Sequence, residues 1–376
     1  MIELLERCVR IPSLSGQERN VAVFLRDEMI ARGFDRAFID DAGNAVGVIG
    51  EGKRQLVLLG HMDTVGGEVP VRYEDGNLYG RGAVDAKGPL CAFILAASGF
   101  VDDERRTKND ERVSTLHSER LRSEAERIQL GKDWQLIVIG ATEEETASSK
   151  GARFAATQYA PQMCVVGEPS GSNGVTLGYK GRLLVDARVE QASHHTARPE
   201  SSANEIAVNA WNAFKHFCDE YNYDKPKAFD QIMPSLRSIR SGDDGLKEWC
   251  DLTLAARLPV EFGPDSLQGE IERIFSELVM NTFQFRGHEW AHRDSKDSPL
   301  ARAFVEAIRA ENLRPAFKLK TGTADMNVVA PVWKCPIVAY GPGDSSLDHT
   351  PNEHIAIDEF ERGVKVLTRV IARIAQ

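Results

Sequence analysis

The residues able to do chemistry stand immediately after apolar runs. His61 and Asp63 follow the run 55–59 in GHMDTV, and Asp85 lies in GRGAVDAKGP. Glu143, Glu144 and Glu145 follow the run 134–139, Glu168 follows 163–166, and His349 stands in DHTPNEH. In an extended chain residues i and i+2 point to the same side, so His61 can bind a metal while Asp63 holds the imidazole. An isolated His-x-Asp or a lone glycine-rich turn is ordinarily a surface feature. The two in this order, with a strand before and a helix after, are far more specific. Mixed imidazole and carboxylate donors suit zinc, cobalt or manganese rather than calcium or copper. Two histidines and three carboxylates suffice for two metals that share one bridging carboxylate. Such a pair activates a water and polarises a scissile carbonyl.

Elements that would position these residues are legible from periodicity. Residues 1–33 read as two helices around a turn, with Ser15 to Glu18 matching a capping box. Strands are predicted at 45–49, 55–59, 134–139 and 163–166, and a helix from Pro89 through 90–97. Open α/β sheets place active sites outside the carboxyl ends of their strands, which is where the acidic and histidine residues fall. Beyond Gly174 the character changes. Leu183, Val185, Ala187 and Val189 alternate with polar residues, as do Leu252, Leu254, Ala256 and Leu258. Helices are expected after Ser202, in a capping box with Glu205, and after Asp265 as a cap. Strand-helix-strand-helix of this kind suggests a small antiparallel sheet with two helices on one face, ferredoxin-like in class. Residues 177–287 are therefore expected to form an inserted α+β domain. Residues 1–176 and 288–376 form an α/β domain, a mixed sheet flanked by helices. The last helix is predicted over 357–374.

With 376 residues, two domains are the natural expectation. A net charge of −10 argues against non-specific nucleic-acid binding. The six cysteines are scattered with no CxxC, which fits neither a zinc ribbon nor a disulfide framework and points to a reducing cytoplasm. No signal peptide or membrane span is expected. Residues 101–132, about half of them charged with mixed signs, read as a solvated helix or surface excursion, with His117 a surface histidine.

GHMDTV, GRGAVDAKGP, EEE followed by TASSKGAR, GEPS, HHTARPE and DHTPNEH together resemble the co-catalytic zinc exopeptidase and deacylase family, which includes acetylornithine deacetylase and succinyl-diaminopimelate desuccinylase. The likeness covers nearly the whole chain except 101–132, and lies nearest the acetyl-lysine/acetylornithine deacetylase branch. It implies two zinc ions, with cobalt a possible substitute. His61 and Glu168 would hold one, Glu145 and His349 the other, and Asp85 would bridge them. Asp63 would support His61, and Glu144 would act as general base. The family usually has Asp-Glu-Glu where this chain has Glu143-Glu144-Glu145, so Glu143 stays an alternative for that role. The inserted domain would be a lid and dimer interface whose His195 stabilises the oxyanion, often from the partner subunit of a homodimer. Its neighbour His194 is the alternative, and the family pattern favours His195. Arg257 would hold a substrate carboxylate. KTGTADMN, with Gly322, and GYKGR match the same branch.

The reading is hydrolysis of an amide on a basic amino acid, acetyl-lysine or acetylornithine, or the same amino acid linked to a carrier protein, in lysine or arginine biosynthesis. The small acyl amino acid is slightly favoured, because the branch's carriers are acidic and this chain is acidic too. Arg54, Arg72, Arg81, Lys180 and Arg182 could supply a basic patch that offsets the repulsion. The alternatives are succinyl-diaminopimelate desuccinylase, a zinc amino- or carboxypeptidase, and a non-catalytic binding module. Every catalytic residue stands in place, which counts against the last.

Overall fold

The computed structural model describes residues 1–101, 129–193, 199–278, 280 and 282–376. The charged stretch is thus described only at its ends. His117, His194 and His195 lie outside the described residues.

In chain order the elements are α1 (Ile2–Val9), α2 (Arg19–Ala31), β1 (Arg36–Ile39), β2 (Ala45–Ile49), β3 (Arg54–His61), β4 (Arg72–Glu74), β5 (Asn77–Tyr79), α3 (Lys87–Ser98), β6 (Trp134–Ala141), α4 (Lys150–Gln158), β7 (Met163–Gly167) and β8 (Gly174–Tyr179). There follow β9 (Gly181–Ala192), α5 (Ala203–Asn222), β10 (Met233–Asp243), β11 (Lys247–Leu258), α6 (Pro264–Glu277), β12 (Thr282–Glu289), β13 (His292–Arg293), α7 (Pro299–Ala310), β14 (Ala316–Lys320), α8 (Asp325–Trp333), β15 (Ile337–Ala339), β16 (His354–Ala356) and α9 (Ile357–Ile374). They divide into two compact units. One holds Met1–Gly178, Asp294–Lys318 and Ala324–Gln376, and the other Tyr179–Arg293 and Leu319–Thr323.

The larger sheet belongs to the first unit and runs through β1-β2-β6-β3-β7-β15-β8. β6, β3, β7 and β15 are mutually parallel, while β2 and β8 pair antiparallel to them on either side. Strands buried on both faces read as continuous apolar runs, and the cores of β3 and β6 are buried throughout. The register sets His61 opposite Ala141 and Gly60 opposite Gly167, so the three strands end at one level. Helix α3 lies close over those ends. A Cβ on Gly167 would come within 2.9 Å of Phe93, and one on Gly60 within 3.2 Å of Leu90. The glycines that close these strands are therefore what lets α3 approach. α1, α3, α7 and α9 share one apolar core with the sheet.

In the second unit the sheet order is β10-β11-β9-β12, all antiparallel. Alternate residues of β9 and β11 are buried, and α5 and α6 cover that face in a core of their own. This is the ferredoxin-like order. The strand-helix-strand-helix expectation lacked two strands. β10 is an edge strand with a bulge between Leu236 and Ser238, and it does not alternate cleanly in burial. β12 is likewise an edge strand, with most of its residues exposed. Ser202 and Glu205 form the expected capping box on α5. Asp265 lies in the first turn of α6, which Gly263 and Pro264 open. No helix among the described residues is long and apolar enough to cross a membrane.

Candidate active site

The parallel strand ends of the first unit bring His61, Asp63, Asp85, Glu144, Glu145 and His349 together. His61 closes β3 and is 2% exposed. Its Nδ1 lies 3.2 Å from the Asp63 carbonyl and 3.4 Å from Asp63 Oδ1. That arrangement occupies Nδ1 and leaves Nε2 to face Asp85 Oδ1 at 3.3 Å and Glu144 Oε2 at 3.9 Å. A ring nitrogen held on one side in this way presents the other as a ligand.

Asp63, fully buried, does more than hold His61. Its Oδ1 accepts the Glu144 backbone N–H at 3.1 Å. Its Oδ2 accepts the Glu145 N–H at 3.1 Å and the Ser15 hydroxyl at 2.7 Å. One carboxylate thus ties the end of β3 to the loop after β6. The expected capping box at Ser15 to Glu18 is not one. α2 begins without a side-chain cap, Ser15 is spent on Asp63, and Glu18 Oε1 accepts the backbone N–H of Gly16 at 2.9 Å and of Glu143 at 3.1 Å. Asp63 and Glu143 are distant from Ser15 and Glu18 in sequence, so a local pattern pointed to the wrong use.

Asp85 lies between the two imidazoles, with Oδ2 3.0 Å from His349 Nε2. Burial alone would raise its pKa, but hydrogen bonds and charge from His349 and His61 hold it well below the usual carboxylate range. Glu145 Oε1 lies 2.9 Å from His349 Nε2. The Asp85 hydrogen bond is the main cause that raises His349 to about 9. For His61, burial pulls the pKa down, yet Asp63 and Asp85 outweigh it and the net shift is strongly upward. Burial raises Glu144 well above the ordinary carboxyl value, and Glu168, Asp325 and Glu145 add to the effect against His61. Glu145 is raised by burial and by Asp85.

Glu143 points elsewhere. Its Oε2 accepts from Ser148 at 2.7 Å and its Oε1 lies 3.8 Å from Lys150 Nζ. Glu168, 8% exposed, follows β7 and is felt electrostatically at Glu144. Asp325 of KTGTADMN, buried at the start of α8, adds to the same negative field. Glu353, also buried, grips the Asp85 loop. Its only sequence signal was membership of DHTPNEH.

Among the described residues, two groups each bring their donor atoms within 4.8 Å of one another: His61, Glu144 and Glu145, and Asp85, Glu145 and His349. Imidazole and carboxylate donors in this ratio fit a pair of divalent cations. Carboxylates gathered in a partly buried place are unfavourable without a cation to balance them, so the residues fit the implied metals. The close set around His61 contains Glu144 where the family resemblance puts Glu168.

Arg257 and Gly322 belong to the second unit. Arg257 Nη1 donates to Thr323 Oγ1 at 2.8 Å, next to Gly322 in the chain. The proposed basic patch is largely consumed by other contacts. Arg54 stacks on Trp134, Arg72 stacks on Tyr79 and pairs with Glu74, Arg81 pairs with Glu353, and Lys180 is buried.

Among known proteins, the model of peptidase family M20/M25/M40 matches residues 57–119 and 122–373. A protein of Deinococcus radiodurans named [LysW]-lysine hydrolase is 44% identical over 376 residues, 99% of this chain and 96% of its own length. A [LysW]-lysine/[LysW]-ornithine hydrolase of Saccharolobus islandicus is 28% identical over 378 residues, 100% of this chain and 96% of its own. Among solved structures, an M20 family metallo-carboxypeptidase of Sulfolobus solfataricus shares the fold, with a TM-score of 0.74 at 17% identity over 99% of this chain and 98% of that one. The chain therefore belongs to the M20/M25/M40 peptidase family and is a metal-dependent hydrolase.

Proposed function

We propose that this protein hydrolyses the amide joining lysine or ornithine to an amino-group carrier protein and releases the free amino acid. The carrying observation is 44% identity along 99% of the chain with a relative named [LysW]-lysine hydrolase, together with the gathering of His61, Asp85, Glu144, Glu145 and His349. That relative's name moves the choice from the small acyl amino acid to the carrier-linked form.

Two zinc ions fit the donor set, with cobalt a substitute. His61 and Glu168 are assigned to one, Glu145 and His349 to the other, and Asp85 to both. When bound, the metals supply Lewis acidity to the water and to the scissile carbonyl. The chain's own residues do the rest. Glu144, its pKa raised by burial, takes a proton from the water and returns it to the leaving amine. Asp63 fixes the tautomer of His61 and the backbone that carries Glu144 and Glu145. The second unit acts as lid and dimer surface, with His195 of the partner subunit as oxyanion donor. Arg257 and the turn at Gly322 take the amino acid's carboxylate. Free cysteines, five of the six buried, suit a cytoplasmic enzyme.

The test is kcat/KM measured side by side on carrier-linked lysine, acetyl-lysine, acetylornithine and succinyl-diaminopimelate. The carrier-linked substrate should lead. Preference for the succinyl compound would overturn the substrate, and a protein that neither carries nor gains activity from zinc or cobalt would overturn the mechanism.

A further inference from the structure

Glu353 is fully buried, and its carboxylate is spent on one short loop. Oε1 accepts the backbone N–H of Val84 at 3.0 Å and of Asp85 at 3.1 Å. Oε2 accepts from Arg81 Nη1 at 2.8 Å, and the Glu353 carbonyl accepts the Gly80 N–H at 3.3 Å. Arg81 is itself anchored, its Nε donating to the Gly67 carbonyl at 2.9 Å. The next residue is pinned as well. His354 pairs with Tyr79 between β16 and β5 and stacks on its ring at 4.6 Å. A buried carboxylate is costly unless hydrogen-bonded and paired, and this one is both. Two successive amides converging on one oxygen fix the backbone from which the Asp85 side chain departs.

His349 lies four residues before Glu353 and meets Asp85 Oδ2 at 3.0 Å. One short segment therefore reaches Asp85 twice, at its carboxylate through His349 and at its amide through Glu353. We propose that Glu353 is a positioning residue that sets the placement of Asp85 relative to His349, and through it the metal affinity of that half of the centre. The inference rests on the two-metal reading above.

Cobalt(II) is the probe. Wild type, Glu353→Gln, Arg81→Met and the double variant are stripped and reloaded. Affinity is read by competition with a chromophoric chelator, coordination by the visible spectrum of the bound cobalt, and folding by circular dichroism. Residues that orient metal ligands typically contribute about 10–100-fold in affinity, so Glu353→Gln should bind that much more weakly, with an altered spectrum and retained fold. Its amide N–H₂ would face the Arg81 guanidinium, donor against donor, so the double variant should recover part of the loss. A folded Glu353→Gln with wild-type affinity and spectrum would overturn the proposal, because a packing role alone would lower stability without moving either. Should Glu353→Gln not fold, Arg81→Met decides: a weakened affinity supports the inference and an unchanged one overturns it. A wild type that takes up no cobalt would instead overturn the two-metal reading.

Discussion

A carboxyl group that takes a proton from water must stand close to the reacting centre and carry a pKa near the working pH. Glu144 stands 3.9 Å from His61 Nε2, and its pKa is raised, first by burial. Glu143 is held instead by Ser148 and lies near Lys150. Glu144→Gln should therefore lower kcat about 10²–10⁴-fold while metal content, measured by atomic absorption, stays at the wild-type level. An unchanged kcat would remove Glu144 from the role. His349 Nε2 faces both Asp85 Oδ2 at 3.0 Å and Glu145 Oε1 at 2.9 Å. His349→Ala should lose metal on dialysis, and full retention would exclude it as a ligand.

At the level of elements, the site is a consequence of parallel strands β3, β6 and β7 ending at one level. The second unit contains another dependency. Lys180, between β8 and β9, is fully buried and donates to the carbonyls of Ala228 at 2.9 Å, Phe229 at 3.1 Å and Gln231. Burial depresses its pKa from the usual 10.5 to about 8. Below about 8 both folded and unfolded chains carry the proton, and the full cost of burying the charge is present. Between about 8 and 10.5 the unfolded chain keeps the proton and the folded chain releases it, so stability rises with pH through that window. Denaturant unfolding of wild type against Lys180→Met, from pH 7 upward, should show the difference moving in favour of wild type across the window. A flat difference would mean that the lysine does not titrate there.

At the scale of the molecule, a net charge of −10 meets a carrier expected to be acidic, and Arg54, Arg72, Arg81 and Lys180, proposed to help offset the repulsion, are engaged elsewhere. Docking on such a carrier must then draw on other contacts. If His195 serves the neighbouring subunit's centre, an inactive Glu144→Ala chain mixed with an inactive His195→Ala chain should regain activity. Each mixed dimer would hold one site with both residues intact. Heterodimers verified by mass that remain inactive would confine His195 to its own chain.

Local chemistry determined much of this protein in advance. Apolar runs ending in glycine and acidic residues marked β3, β6 and β7, and the period of two marked β9 and β11, because burial on one or both faces is written directly into neighbouring residues. The edge strand β10 escaped because an edge bulge blurs that period. What only the tertiary structure decided are the long connections. Ser15 reaches Asp63 across 48 residues, and Glu353 reaches Val84 across 269. Ser15 to Glu18 carried every local mark of a helix cap, yet both side chains serve the centre. The difference between Glu143 and Glu144 is likewise one of direction after a turn. A hydrogen bond needs an angle and a distance within about 3 Å, and for residues so far apart along the chain only the packed sheet and its covering helices set either.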